Sequence, residues 1–150
     1  MIENRREFIR KSCIICAGIS TSTFILSGCQ ATHYITGTLS GTNLILPISE
    51  FNYEKKGQQE KRSYIIIQNE KLEFPIYVYR FSDSKYSAIW MKCAHQGAEL
   101  QASGDHLYCP SHGSEYNNSG EVMQGPAETN LRTFPVSVND DSILINLRPS

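Results

Sequence analysis

The sequence predicts a single all-β domain with antiparallel pairing, on three observations. Its apolar residues fall in short runs rich in β-branched and aromatic side chains, turn-forming clusters separate those runs, and no window sustains a 3.6-residue apolar period. The expected strands are 44–48, 63–68, 75–81, 86–92, 131–138 and 142–147. Turn chemistry stands between them at Glu54-Lys55-Lys56-Gly57, Ser82-Asp83-Ser84-Lys85, Ser103-Gly104-Asp105 and Asn139-Asp140-Asp141. Residues 29–43 are mostly small and polar and read as a flexible tether ahead of a domain spanning 44–150. With 150 residues and 40% of them hydrophobic, the chain has room for one core. A formal charge of -1 without a basic tract excludes the electrostatic footprint of a nucleic-acid binder. No apolar run reaches the roughly 18 residues that would span a bilayer.

The first 28 residues read as a signal peptide: a basic opening, a modest apolar stretch and small residues at its end. Arg5-Arg6-Glu7-Phe8-Ile9-Arg10 resembles the twin-arginine export signal, a route that carries folded and loaded proteins. Leu26-Ser27-Gly28-Cys29 looks like a lipobox, in which cleavage precedes the cysteine and its thiol takes a lipid. Cleavage there removes four basic and two acidic residues, leaving 122 residues with 10 Lys+Arg against 13 Asp+Glu, a net of -3. Cys29 would then tether the protein to a membrane surface on the extracytoplasmic, periplasmic side, and Cys13 and Cys16 would leave with the signal.

The remaining cysteines are the informative ones. Cys93-Ala94-His95-Gln96-Gly97 is followed, with thirteen residues intervening after His95, by Cys109-Pro110-Ser111-His112-Gly113-Ser114-Glu115-Tyr116. Each half sets one soft thiolate and one imidazole on a tight loop bearing Gly or Pro, so two loops can converge with two sulfurs and two nitrogens. That pattern is a metal site. The spacer between the halves reads as a hairpin with arms 98–101 and 106–109. A structural zinc site would use the same four atoms, although zinc fingers usually pair like with like along the chain. His33 and His106 have no cysteine at fixed spacing and read as exposed loop residues; Trp90 reads as core.

Here the chain resembles the Rieske iron-sulfur family, whose pattern is Cys-x-His, a spacer, then Cys-x-x-His. The resemblance covers roughly residues 90–135. It implies an antiparallel β-sandwich with a small cluster-binding subdomain, about 91–127, inserted in a base domain. It further implies one [2Fe-2S] cluster, with Cys93 and Cys109 on one iron and His95 and His112 on the other, solvent-facing one. Ser114 and Tyr116 match the residues that, in respiratory members, donate hydrogen bonds to a bridging sulfide and to a ligand sulfur. Gly125-Pro126-Ala127 is similar to the proline loop that covers the cluster. Two cysteines that pin the loops by a disulfide in high-potential members are replaced here by Ala98 and Ser111, so the loops must hold without it.

The function implied by this resemblance is electron transfer rather than catalysis. Two imidazoles in place of two thiolates lower the negative charge of the cluster, which puts Rieske centres at roughly -150 to +300 mV against about -400 mV for all-cysteine ferredoxins, and the donors Ser114 and Tyr116 point to the upper half of that range. Histidine ligation also couples the electron to a proton, giving a midpoint that depends on pH in the alkaline range. A ring-hydroxylating oxygenase would need a second iron held by two histidines and a carboxylate, and none of the 38 residues after His112 is a histidine. The partners expected are a quinol- or cytochrome-linked oxidoreductase and, through the lipid, a membrane. A soluble Rieske ferredoxin feeding an oxygenase is disfavoured by the export signal, and a zinc-stabilised binding module by Ser114, Tyr116 and the proline loop.

Overall fold

A computed structural model describes residues 32–148. The expected export signal, residues 1–28, and the expected lipidation site Cys29 lie outside the described residues. Fifteen strands make up nearly all the regular structure described, as the apolar runs predict. The central sheet contains β1 (Tyr34–Thr36), β6 (Tyr64–Gln68), β7 (Ile76–Arg80), β8 (Tyr86–Trp90) and β13 (Thr133–Phe134), side by side in the order β1-β6-β7-β8-β13. A second sheet has the order β14 (Val136–Val138), β15 (Ser142–Asn146), β3 (Asn43–Pro47), β2 (Thr38–Ser40). Two polar strands, β4 (Asn52–Lys55) and β5 (Gln58–Lys61), form a hairpin of their own after a 3-10 turn at Ile48–Phe51.

The central strands are apolar without strict alternation because both of their faces are covered. Ile65 and Ile67 of β6, Ile76 and Val78 of β7 and Ala88 of β8 pack with Leu44, Leu46, Ile143 and Ile145 of the second sheet. Their neighbours Ile66, Tyr77 and Ile89 point the other way, into a second core with Met91, Leu100, Leu107, Tyr116 and Leu131. Burying one such aliphatic side chain contributes about 1.5 to 3 kcal/mol, so the middle strands anchor both layers.

The outer layer is an insertion. β8 and β13 are direct neighbours in the central sheet, yet 42 residues separate Trp90 from Thr133. That excursion builds a four-stranded antiparallel sheet, β12-β11-β10-β9, from β9 (Gln101–Ser103), β10 (His106–Tyr108), β11 (Glu115–Asn117) and β12 (Val122–Gln124). A small subdomain inserted in a base sandwich is therefore present, reaching residue 132 rather than stopping at 127.

Several expectations are corrected. The tether expected over 29–43 does not hold for its described part: Tyr34–Thr36 and Thr38–Ser40 are strands. β1 also pairs parallel to β6, the exception to antiparallel pairing. Small polar residues serve an edge strand as well as they serve a linker when one side chain in two, here Ile35 and Leu39, reaches the core. The run 131–138 divides at Pro135, which has no N–H for a ladder, so β13 stays in one sheet and β14 joins the other. The turn at 54–57 belongs to the β4–β5 hairpin, whose central Lys56 and Gly57 both have positive φ, 52° and 77°. In the spacer hairpin the first arm is Gln101–Ser103, not 98–101, because Cys93 and Met91 take the backbone of Ala98 and Leu100.

Candidate metal centre

Two loops leave the same end of the inserted sheet, and they are built alike. The Cys93 N–H donates to the Ala98 carbonyl at 2.8 Å and the Cys109 N–H to the Ser114 carbonyl at 2.8 Å. Within each loop the cysteine carbonyl accepts from a glycine four residues on, Gly97 at 2.9 Å and Gly113 at 3.0 Å. Both glycines have the positive φ that closes such a loop, 72° and 78°, a conformation that costs about 1 to 2 kcal/mol with a side chain. The glycine four places after each cysteine is the readable signal for this frame, and the motif reading passed over it.

The loops bring the four expected side chains together in two pairs. Cys93 and Cys109 are buried, free and within hydrogen-bonding reach of each other, set among Met91, Leu100, Leu107 and Ala127. The rings of His95 and His112 meet edge to face, with centroids 5.1 Å apart. His112 is exposed and His95 half-buried, but the Nδ1 of His95 is sealed from solvent and has no hydrogen-bond partner. A buried ring nitrogen left without a partner is unfavourable unless something binds it.

The electrostatics favour anionic sulfur. Burial raises the Cys93 thiol, but the Tyr116 hydroxyl, the backbone N–H groups of His95 and Gln96 and the neighbouring Cys109 together hold it below its ordinary value. Tyr116 lies 3.4 Å from the Cys93 sulfur and accepts the Ala94 N–H at 3.2 Å. Burial and the sulfur beside it push Tyr116 up to about 12, so the phenol keeps its proton. Ser114 is fully buried; its Oγ accepts the Ala127 N–H at 3.1 Å, and its side chain also hydrogen-bonds Tyr116.

No disulfide joins the two loops, and hydrogen bonds take over its task. Tyr116 ties the first loop to β11, Ser114 ties the second to the segment after Pro126, and Gln124 Nε2 donates to the Gly113 carbonyl at 3.3 Å. Gly125 and Pro126 lie exposed beside this second loop, between Gln124 and the buried Ala127. Gln124 escaped the sequence reading because nothing marks a glutamine as a clamp.

Residues 42–135 match the family model of the Rieske [2Fe-2S] domain, well over half of the chain. The chain belongs to the Rieske [2Fe-2S] domain family. The cytochrome b6-f complex iron-sulfur subunit of Prochlorococcus marinus strain NATL1A is 41% identical over 56 residues, 36% of this chain and 32% of that protein. The same subunit from strain CCMP1986 is 28% identical over 113 residues, covering 73% of this chain and 62% of that protein. The chain thus spans from a third to under two thirds of the length of these curated relatives. The solved plasma membrane Rieske protein of Synechocystis PCC 6803 superposes with a TM-score of 0.49 at 26% identity, covering 56% of this chain and 86% of that one.

The cofactor of a Rieske domain is a [2Fe-2S] cluster, and the donor set fits it. Among the described residues no three His, Cys, Asp or Glu side chains close in as a single ion would require. A sulfur pair and a separate imidazole pair suit a two-iron group instead. Outside the site, two readings change. His33 is half-buried, its Nε2 3.1 Å from Glu50, and His106 sits half-buried in β10 rather than in a loop. Trp90 packs against the base core, edge-on to Phe74, with Lys92 and Arg132 over its ring.

Proposed function

We propose that this chain is an exported, lipid-anchored Rieske protein that passes single electrons to or from a membrane or periplasmic oxidoreductase, quinol- or cytochrome-linked. In this reading Cys93 and Cys109 hold one iron, and His95 and His112 the other. Ser114 and Tyr116 donate to cluster and ligand sulfur, and Gly125 and Pro126 shield the group from water. The bound cluster supplies a one-electron couple whose potential imidazole ligation raises. The observation that carries the assignment is the buried, unpartnered Nδ1 of His95 beside His112, together with the buried thiol pair Cys93 and Cys109. Export rests on Arg5-Arg6 and lipid attachment on Leu26-Ser27-Gly28-Cys29. The oxidoreductase partner is supported by relatives that are cytochrome b6-f complex subunits.

The test is metal analysis and electron paramagnetic resonance of the dithionite-reduced protein. Iron and acid-labile sulfide in equal amounts, with a resonance signal lost in Cys109→Ser, are expected; stoichiometric zinc and no signal would overturn the reading. For the anchor, Cys29→Ser should shift the protein from membranes to the soluble fraction, and unchanged membrane retention would remove Cys29 from that role.

A further inference from the structure

The leash between the lipid and the domain is very short. Thr32 is already docked, its Oγ1 3.1 Å from the Tyr64 hydroxyl, and the next residue accepts the Ile66 N–H at 2.9 Å through its carbonyl. From Cys29 to Thr32 there are three Cα steps, a reach of at most about 11 Å. This part of the inference rests on lipid attachment at Cys29, as proposed above.

Thr32 and the metal site lie at opposite ends of the central sheet. Tyr64 pairs with Tyr79 and Tyr79 with Ser87, so Thr32, the start of β6 and the 81–85 turn share one end. Ile67 pairs with Ile76 and Ile76 with Trp90, and from that other end the chain runs on to Cys93. The length of β8 alone sets the two ends about 13 Å apart, more than the leash can span.

The attached end has the composition of a lipid-facing surface. Tyr34 and Phe81 are two of the three large hydrophobic side chains exposed among the described residues, 54% and 41%. Phe81 continues a row of rings through Tyr79, Tyr77 and Tyr64, with successive centroids 5.0, 6.1 and 5.3 Å apart. Around it stand Lys61, Arg62, Arg80 and Lys85, against Asp83, which Lys61 and Arg80 share, Glu50, which His33 takes, Glu60, which Tyr53 and Lys55 hold, and Asp105, whose charge reaches Tyr77. Four cations balance four carboxylates here, in a chain whose mature net charge is -3. Amphipathic rings flanked by Lys and Arg suit an anionic interface.

We propose that the sheet end carrying Thr32, Tyr34 and Phe81 docks on an anionic lipid surface, which holds the two Cys/His loops outward toward water. The test is amine footprinting of the full exported chain on its own membranes with a water-soluble acylating reagent. Lys61 and Lys85 should label several-fold more slowly on the membrane than after detergent release, and Lys71, exposed at the other end of the sheet, at the same rate in both. Equal rates at Lys61 and Lys85, or protection of Lys71 instead, overturn the docking. Failure of the lipid reading looks different: mass spectrometry finds no fatty acid on Cys29. In that case vesicles decide. Cosedimentation with phosphatidylglycerol but not phosphatidylcholine, lost in Lys61→Glu/Lys85→Glu, supports the surface, and binding to neither overturns it.

Discussion

Tyr116 reaches from β11 to Cys93, its hydroxyl 3.4 Å from the sulfur, and in the same position accepts the N–H of Ala94 at 3.2 Å. One phenol thus fixes the first loop and keeps its own proton to donate to the sulfur. Because a donor to ligand sulfur stabilises the more negative reduced state, Tyr116→Phe should lower the midpoint potential. A hydrogen bond that gains about 0.5 to 1.5 kcal/mol on reduction corresponds to roughly 20 to 65 mV for one electron. Protein-film voltammetry reads this directly, and an unchanged or higher midpoint removes Tyr116 from the role.

Alkaline stability depends on the same phenol. Burial and the Cys93 sulfur raise Tyr116 from its ordinary 10.0 to about 12, and burial raises Tyr77 further. A raised pKa in the folded state means stability that is complete below the unfolded value near 10 and lost as pH climbs past it toward the folded value. Urea unfolding midpoints should therefore fall above about pH 10. The decline should be shallower in Tyr77→Phe, where one such group is gone; an identical slope would exclude Tyr77 as a contributor.

Ser114 is a buried clamp on the segment after Pro126. Ser114→Ala takes the acceptor from the Ala127 N–H, and Ala127 is itself buried. An unsatisfied buried donor costs about 1 to 3 kcal/mol. Denaturant titration should show a loss of that size, and hydrogen exchange at Ala127 should accelerate; unchanged protection there would mean that another group holds the segment.

Gly113 closes the second loop at φ 78° with open space around it, whereas a Cβ on Gly97 would meet the Lys92 Cε at 3.2 Å. Gly113→Ala therefore isolates backbone strain, about 1 to 2 kcal/mol. Gly97→Ala adds crowding to the same strain. Urea denaturation should rank both variants below the parent, with Gly97→Ala the lower unless the Lys92 stem swings aside; a Gly113→Ala as stable as the parent would mean the loop does not need its glycine.

The strands at the centre of the fold were legible because burial on both faces leaves a plain record: Ile65, Ile66 and Ile67 in succession admit little else. The polar hairpin β4–β5 and the edge strands β1 and β2 left no such record, since strands held by backbone bonds and a single inward side chain look like loops in composition. Within the site, Cys93, His95, Cys109 and His112 were readable because their spacing is local to each loop. Gln124, whose partner Gly113 is eleven residues away, was not.

By itself, then, the chain's order of residues determined an all-β domain and a two-loop Cys/His site, because short-range spacing and side-chain period encode both of them. Only the tertiary structure decided that Tyr34–Thr36 and Thr38–Ser40 belong to the sheets, that the Nδ1 of His95 is buried without a partner, and that Thr32 and the Cys/His loops lie at opposite ends of one sheet. Those are facts of strand pairing between residues far apart along the chain, and pairing partners are set by which faces can be buried together rather than by any neighbour in sequence.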